Sequence, residues 1–237
     1  MWTADFKGQF RTANAVYCYP LTIADPCRRF LLTCHGLLST ETLTAKPIFE
    51  RAFREYGVPL AIRTDNGVPF ATQALHGLSY LNVWGMRLGI VHQRIHPGQP
   101  QENGAHERRH RSMKRRAIKP VQRTCAAQPK SFDVFRVEYN TERPHEALAM
   151  EAPSSVYTTS PRAYPNRLPK LESPLHVLVK TVTYAGTVRF QRKLLYLANS
   201  LVEQDVGFDE TDDGIWSIYF NHGLLATMDE RDYIIRG

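Results

Sequence analysis

The chain has 237 residues, of which 43% are hydrophobic and 22% are charged, and this composition excludes a disordered or fibrous protein. The net charge of +7 favours a polyanionic partner. Because no apolar run is long enough to cross a bilayer and no signal peptide is present, we expect no membrane contact and a cytoplasmic location. The four cysteines form no CxxC pair, so we expect reduced thiols and no zinc ribbon.

The first part of the chain alternates strand and helix patterns. Five strands are predicted, at residues 2–6, 16–24, 30–35, 60–63 and 89–94. Four helices are predicted, at residues 39–56, 75–84, 103–119 and 131–140, the third with Asn103 as its N-cap. The short turn Asp25-Pro26 predicts an antiparallel pair, and the intervening helices predict parallel crossovers. We therefore expect a mixed five-stranded sheet with flanking helices in an α/β fold.

The rest of the chain changes character. Residues 151–174 are rich in proline, serine and threonine, which predicts an extended linker. Short strand patterns then follow one another to the end, with hairpin signals at Asp213-Gly214 and His222-Gly223. We predict three segments: a core at 1–150, a linker at 151–174 and a small all-β, barrel-like domain at 175–237.

Three carboxylates lie at strand ends or at the start of the basic helix. Asp5 is in the first strand, Asp65 follows the fourth, and Glu107 lies in the first turns of the helix. If the first and fourth strands are neighbours, Asp5 and Asp65 can face each other, and the helix brings Glu107 over them. Oxygen ligands suit Mg²⁺ or Mn²⁺, and two such ions about 3.5–4 Å apart can promote phosphodiester chemistry. The pattern predicts a two-metal site.

The helix that carries Glu107 is strongly basic. His110, Arg111 and Lys114 fall on the same helical face as Glu107, while Arg108 and Arg115 are its other basic candidates. Taken alone, this string is better explained as an exposed charged helix. Together with the carboxylates it favours a site that holds the phosphates of DNA.

Several residues compete with these assignments. Asp25 is explained as a turn former beside proline, and Glu102 precedes the helix cap and shares no helical face with a cation. The histidines could suggest zinc, but they span a strand, a turn and a helix without a cysteine. We expect them to be solvated or DNA-facing: His92, His96, His106 and His110.

Three motifs carry a resemblance to a known family. TDNGVPF (64–70), HPGQPQENGAHERRHRSMK (96–114) and YNTERPHEAL (139–148) resemble the insertion-sequence transposases with a retroviral-integrase-type catalytic core. WTADFKG (2–8) is similar to the first strand of that core, and GIWSIYF (214–220) to its C-terminal β domain.

This resemblance implies a ribonuclease-H-like fold and an Asp-Asp-Glu metal site that cuts and joins DNA at the ends of a mobile element. By position the triad is Asp5, Asp65 and Glu107, and Lys114 matches a basic residue that contacts terminal DNA. Expected partners are the terminal repeats, target DNA and further copies of the chain, with association to the nucleoid during action. Two departures are the absent N-terminal helix-turn-helix region and a spacing between Asp65 and Glu107 that is slightly longer than usual.

The sequence supports one main hypothesis and leaves alternatives open. The main one is a metal-dependent transposase. The second, suggested by the absent N-terminal region, is a non-catalytic remnant or regulator that binds DNA or a full-length partner. A ribonuclease acting on hybrids is a third, and the resemblance in the ERPH string and the C-terminal strands argues against it.

Overall fold

The computed structural model describes residues 1–72, 77–95, 110, 112–169 and 176–237. The chain divides into two compact units, one formed by Met1–Pro69 and Ile90–Tyr164, the other by Phe70–Gly89 and Pro165–Gly237. The predicted limits at residues 150 and 174 stay predictions. None of the helices in the described ranges combines the length and apolar character needed to span a membrane.

Unit 1 is built on a mixed sheet. Its strands are β1 (Trp2–Phe6), β2 (Phe10–Arg11), β3 (Tyr17–Ala24), β4 (Leu31–Leu37), β5 (Ala61–Thr64) and β6 (Val91–Arg94). The order is β2-β3-β1-β5-β6, with β4 on β3. β3 pairs antiparallel with β1 and with β4, whereas β1–β5 and β5–β6 are parallel. The five predicted strands and both pairing directions are confirmed. The short β2 is an addition that two residues could not signal by periodicity.

Helix α1 (Thr42–Tyr56) connects β4 to β5 and covers the sheet. Its buried residues include the predicted apolar stripe: Ala45, Ile48, Phe49, Ala52 and Phe53. The helix ends where Gly57 adopts a positive φ of 76°, a conformation that glycine adopts without a steric penalty. The predicted stripe and its stop signal are therefore confirmed.

The predicted proline-rich linker begins on unit 1. Tyr157 stacks on Phe30 with ring centroids 4.0 Å apart, in a segment that follows the short helix α4 (Pro153–Val156). Ser160 Oγ donates to the carbonyl of Val58 at 2.6 Å. This stretch is therefore packed against the core over its first residues.

The basic helix packs on the sheet through its apolar side. Residues 112 and 113 are α-helical, and Lys114–Ile118 widen into a π-helical segment before Pro120. Met113, Ala117 and Ile118 join a buried cluster with residues of β3, β4 and α3 (Gln128–Thr141). Gln128 Nε2 and Ser131 Oγ both donate to the carbonyl of Ala117, at 2.6 and 3.1 Å. These bonds satisfy a carbonyl at the helix end and fix α3 against it.

Helix α3 confirms its predicted stripe but begins earlier than predicted. Phe132, Phe135 and Tyr139 are buried. The helix starts at Gln128 because Pro129 occupies its first turn, where a missing N–H costs nothing. The predicted start at residue 131 is wrong, because the helix begins nearly one turn earlier.

Unit 2 contains α2 (Tyr80–Arg87) and seven strands. These are β7 (Leu178–Thr181), β8 (Thr187–Phe190), β9 (Lys193–Tyr196), β10 (Asp205–Asp212), β11 (Ile215–Phe220), β12 (Gly223–Asp229) and β13 (Ile235–Arg236). They form a five-stranded antiparallel sheet, β13-β12-β11-β10-β7, and the separate hairpin β8–β9. Both hairpin turn predictions are confirmed. Neither sheet closes on itself within the described residues, so the barrel stays a prediction.

Helix α2 starts later than predicted. The side chain of Ser79 accepts a bond from the Asn82 backbone while Asn82 Oδ1 accepts from the Ser79 backbone, a reciprocal cap. A capping box usually combines serine or threonine with glutamate or glutamine three residues later, and here asparagine takes the second place. The predicted range 75–84 therefore missed this start. Leu78 and Val83 are buried in the same core as Phe208, from the C-terminal strands.

Candidate active site at the ends of two parallel strands

Two of the predicted carboxylates lie at the same edge of the sheet. The parallel register pairs Thr3 with Arg63 and Ala4 with Thr64. Continuing it by one residue brings Asp5 level with Asp65, which directly follows β5. The expectation that the first and fourth predicted strands are neighbours is confirmed, whereas the catalytic roles of these residues stay predictions.

Asp5 lies in a buried environment, with only 7% of its surface exposed. It pairs across the sheet with Thr22 of β3, whose hydroxyl donates to the Asp5 backbone carbonyl at 3.2 Å. The ring of His110 lies against both residues. Its Nε2 is 3.2 Å from Thr22 Oγ1, and its Nδ1 is 3.8 Å from the Asp5 carboxylate. Asp5 is thereby fixed from β3 and from the basic helix.

His110 occupies a different place from the one predicted. It was expected to be solvated or DNA-facing. The solvated alternative is wrong, because the side chain is buried against Asp5 of β1 and Thr22 of β3, whereas contact with DNA stays a prediction. The helical wheel placed His110 in a row with Arg111 and Lys114. Helical spacing cannot show which side of such a row turns toward the sheet, and the partners of His110 are far away in the sequence.

Asp65 is held mostly by its own turn. Its Oδ1 accepts a bond from the Gly67 backbone at 3.0 Å, and its backbone carbonyl accepts one from the hydroxyl of Thr64 at 3.1 Å. Asn66 Nδ2 donates to the carbonyl of Ile95 at 3.2 Å. The motif TDNG therefore forms a compact turn at the end of β5 that leaves the carboxylate half-exposed.

A second histidine supports this turn from the next strand. His92 Nε2 on β6 lies 2.7 Å from Thr64 Oγ1. Burial, and secondarily the positive charge of Arg94, lowers the pKa of His92 from 6.5 to about 4. The ring is therefore neutral near pH 7. His92 is half-buried and so is only partly solvated, while contact with DNA stays a prediction.

The third predicted carboxylate, Glu107, lies outside the described residues, as do Arg108 and Arg111. Within the described part of the chain, no group of three or more metal-ligating side chains is assembled. Asp5 and Asp65 supply hard carboxylate oxygens from two adjacent strand ends, a donor type that fits Mg²⁺ or Mn²⁺. The described residues thus provide two of the three ligands that the sequence predicts.

The helix that carries His110 also has an exposed basic side. Lys114 and Arg115 are exposed, as predicted for residues that contact DNA, while Arg116 is paired with Glu138 of α3. A cavity of about 440 Å³ is lined by Ser112, Arg115, Arg116, Glu138, Glu142, Arg143 and Pro144. Cations in the lining outnumber carboxylates, which suits a phosphate group.

The ERPH string docks the end of α3 on the basic helix. Arg143 Nη1 donates to Ser112 Oγ at 2.9 Å, and its guanidinium lies 5.5 Å from the centre of the Tyr139 ring. These contacts give the ERPH string (142–145) a packing role between the two helices. Asp25, the rejected catalytic candidate, accepts bonds from the backbones of Cys27 and Arg28, as a turn former does.

Sequence reasoning missed the contacts of Thr22 and Thr64 with the two aspartates. It also missed the contacts of His110 and His92 with these threonines. A threonine directly before the aspartate in TDNG was a local signal that could have drawn attention to Thr64. No comparable signal exists for Thr22, because its relation to Asp5 depends on the strand register.

A family model and a curated relative both match the chain. Residues 88–153 match the family model described as integrase core domain. A protein of Burkholderia multivorans, the insertion element IS407 uncharacterized 31.7 kDa protein, is 28% identical over 159 residues, or 65% of this chain. That alignment covers 53% of the relative, so the chain spans about half of its length.

Two solved structures share the fold. The HTLV-2 integrase catalytic core domain, in complex with magnesium, has a TM-score of 0.51 at 14% identity, covering 65% of this chain and 93% of the viral one. A chain of the simian T-cell lymphotropic virus intasome, solved with a PP2A regulatory subunit, has a TM-score of 0.54 at 15% identity. It covers 94% of this chain and 76% of that one. The resemblance drawn from the sequence motifs is therefore confirmed.

Proposed function

We propose that this chain, of which residues 88–153 match the integrase core domain model, is a transposase that cuts DNA and joins strands at the ends of a mobile element. The observation that supports this most is the placement of Asp5 and Asp65 at the ends of two neighbouring parallel strands. The finer fold assignment in this proposal is ribonuclease-H-like. The strand order β4-β3-β1-β5-β6, with one antiparallel and one parallel side, supports it.

In this proposal Asp5, Asp65 and Glu107 hold Mg²⁺ or Mn²⁺, two ions in the complete site. When bound, the ions activate a nucleophilic oxygen and stabilise the leaving oxygen of a phosphodiester. The nucleophile is water for end cleavage and a DNA 3′-hydroxyl for strand joining. The contribution of Asp5 is a carboxylate fixed in a buried position, and that of Asp65 is a carboxylate at the half-exposed face where DNA enters.

The exposed side of the basic helix would bind the DNA backbone. Lys114 and Arg115 are exposed there, and we propose Arg108 and Arg111 for the same role from the sequence. Expected substrates are the terminal repeats and a target DNA, and we propose that several copies of the chain act together. The IS407 relative supports the link to insertion elements, and the HTLV-2 core, solved in a trimeric form, supports self-association.

The test is cleavage of a linear duplex that ends in the repeats flanking the gene, with Mg²⁺ present and absent. We expect the wild-type chain to cut near the end only with the metal, and Glu107→Gln to abolish cutting. Glu102→Gln is the matched control, because this glutamate is close in sequence but was rejected as a ligand. Equal cutting by wild type and Glu107→Gln would refute the assignment of Glu107. Specific binding by the wild-type chain without any cutting would instead favour the non-catalytic regulator.

A further inference from the structure

The two aspartates share an arrangement that neither the family match nor the motifs assign. The backbone carbonyl of each accepts a hydrogen bond from a threonine hydroxyl, Thr22 for Asp5 and Thr64 for Asp65. Each hydroxyl also lies within hydrogen-bond distance of a histidine Nε2, at 3.2 Å for His110 and 2.7 Å for His92. Both threonines are buried.

This arrangement has a clear physical effect at a strand end. The parallel ladder of β1 and β5 ends at the pair Ala4 and Thr64, one residue before each aspartate, although Asp5 is still paired on its β3 side. A hydroxyl bonded to the carbonyl restricts rotation of that peptide group and so restricts the direction of the carboxylate. A β-branched threonine has few side-chain rotamers, and contact with a histidine reduces them further.

We propose that Thr22 with His110, and Thr64 with His92, are positioning pairs that hold Asp5 and Asp65 in the orientation needed to bind a divalent metal ion. This proposal rests on the proposed function and adds four positioning residues to it. The pairs come from different elements, β3 and the basic helix for Asp5, β5 and β6 for Asp65. Two independent parts of the fold thus serve the same purpose.

The proposal assigns the hydrogen-bond roles at the Asp65 pair. A hydroxyl has a single proton, and when Thr64 gives it to the Asp65 carbonyl, the histidine must donate its own N–H to the hydroxyl oxygen. His92 is therefore expected as the Nε2–H tautomer. Long-range ¹H–¹⁵N correlation spectra of the imidazole distinguish the two neutral tautomers and measure this directly.

The decisive test uses the full chain with Mn²⁺ alone, followed by electron paramagnetic resonance. Thr22→Val and Thr64→Val remove only the hydroxyl in a side chain of similar shape, and we expect each to weaken Mn²⁺ binding about tenfold. Thr22→Ser and Thr64→Ser keep the hydroxyl and should bind within about twofold of wild type. Such rescue cannot come from packing, because serine packs less well than valine in a buried site.

Thr3→Val is the matched control. Thr3 is a buried threonine on β1, two residues before Asp5, and its hydroxyl donates to the carbonyl of Ala24 and not to either aspartate. Its loss should leave Mn²⁺ binding within about twofold. Melting temperatures measured without metal show whether each variant is folded. If a valine variant is unfolded, the serine variant decides the question at that site, and for Thr64 the tautomer of His92 decides it as well.

The outcomes separate this proposal from the one it rests on. If wild type binds no Mn²⁺, the metal-dependent function is overturned, and the positioning role with it. If wild type binds Mn²⁺ but Thr22→Val and Thr64→Val bind as Thr3→Val does, only the positioning pairs are overturned. A Nδ1–H tautomer for His92 overturns the Thr64 pair alone.

Discussion

Asp5 and Asp65 lie level at one edge of the sheet, yet contacts of very different sequence range fix them. Asp5 depends on Thr22 and His110, which come from another strand and from a distant helix. Asp65 depends on Thr64 and Gly67 in its own turn, and His92 of β6 contacts this turn through Thr64. The position of the Asp5 carboxylate therefore depends on the complete fold, whereas that of the Asp65 carboxylate depends mostly on residues 64–67.

The largest expected effect is the same on both sides of this comparison. Asp5→Asn and Asp65→Asn each remove a charged ligand while keeping the shape, so we expect DNA cutting to fall by more than about a hundredfold in each. Cleavage of labelled end DNA at saturating Mg²⁺ measures this. A variant that keeps more than a tenth of the wild-type rate would remove that aspartate from the proposed site.

The second-largest effect is on stability, and it distinguishes the surroundings of Asp5 from those of Asp65. His110→Ala leaves a cavity in a buried site and takes a partner from Thr22, so we expect a loss of about 2–3 kcal/mol in unfolding free energy. His92→Ala removes a half-buried ring, and we expect its loss in unfolding free energy to be smaller than that of His110→Ala by about 1 kcal/mol. Urea unfolding at pH 7 measures both. Equal losses would show that the Asp65 side is as dependent on distant contacts as the Asp5 side.

A pH effect sharpens the comparison further. The pKa of His92, about 4 in the folded chain, lies below its ordinary value of 6.5 because of burial. The unfolded chain then takes up a proton first as the pH falls. The stability that comes from keeping His92 neutral in the folded chain is fully present above pH 6.5. It is lost as the pH falls from 6.5 to about 4, and the loss in unfolding free energy reaches about 2 kcal/mol at pH 4.5.

Urea unfolding of wild type and His92→Gln at pH 7.5 and pH 4.5 isolates that loss. The acid-induced drop should be about 2 kcal/mol smaller in the variant. Burial also lowers the pKa of His35, but this histidine is present in both proteins and cancels in the difference. A drop of equal size in both proteins would show that His92 is not the group responsible.

The smallest effect concerns DNA binding beside the two aspartates. Lys114→Gln and Arg115→Gln should each weaken binding only a few-fold and reduce the slope of log affinity against log salt by about one. Lys46→Gln on α1 is a control cation on another helix. Fluorescence anisotropy with a labelled duplex at several salt concentrations measures the slopes. A slope that stays unchanged in Lys114→Gln would remove that residue from the DNA contacts.

The sequence predicted those parts of the fold whose signals are local. The apolar stripe of α1, the stop at Gly57 and the TDNG turn could be recognised because neighbours along the chain determine them. The parallel direction of strands joined through a helix was predicted because a crossover links them, whereas the adjacency of β1 and β5 was only a condition of the site hypothesis.

The remaining features depend on partners far apart in sequence. His110 and Thr22 meet only when the basic helix lies on β3, and helical spacing cannot show on which side of the helix that contact falls. The widening at Lys114–Ile118 also breaks the 3.6-residue period on which such spacing depends. The packing of α2 with the C-terminal strands was equally hidden, because Leu78 and Val83 are far in sequence from partners such as Phe208.

The sequence order of unit 2 has a practical consequence. Its apolar interior includes Leu78 and Val83 from a stretch that interrupts unit 1 between β5 and β6. A gene fragment ending at residue 164 would still encode that stretch but would lack the strands that shield it. We expect the recombinant fragment to expose apolar side chains and to aggregate. A shortened version of this protein therefore needs a short polar linker in place of residues 70–89.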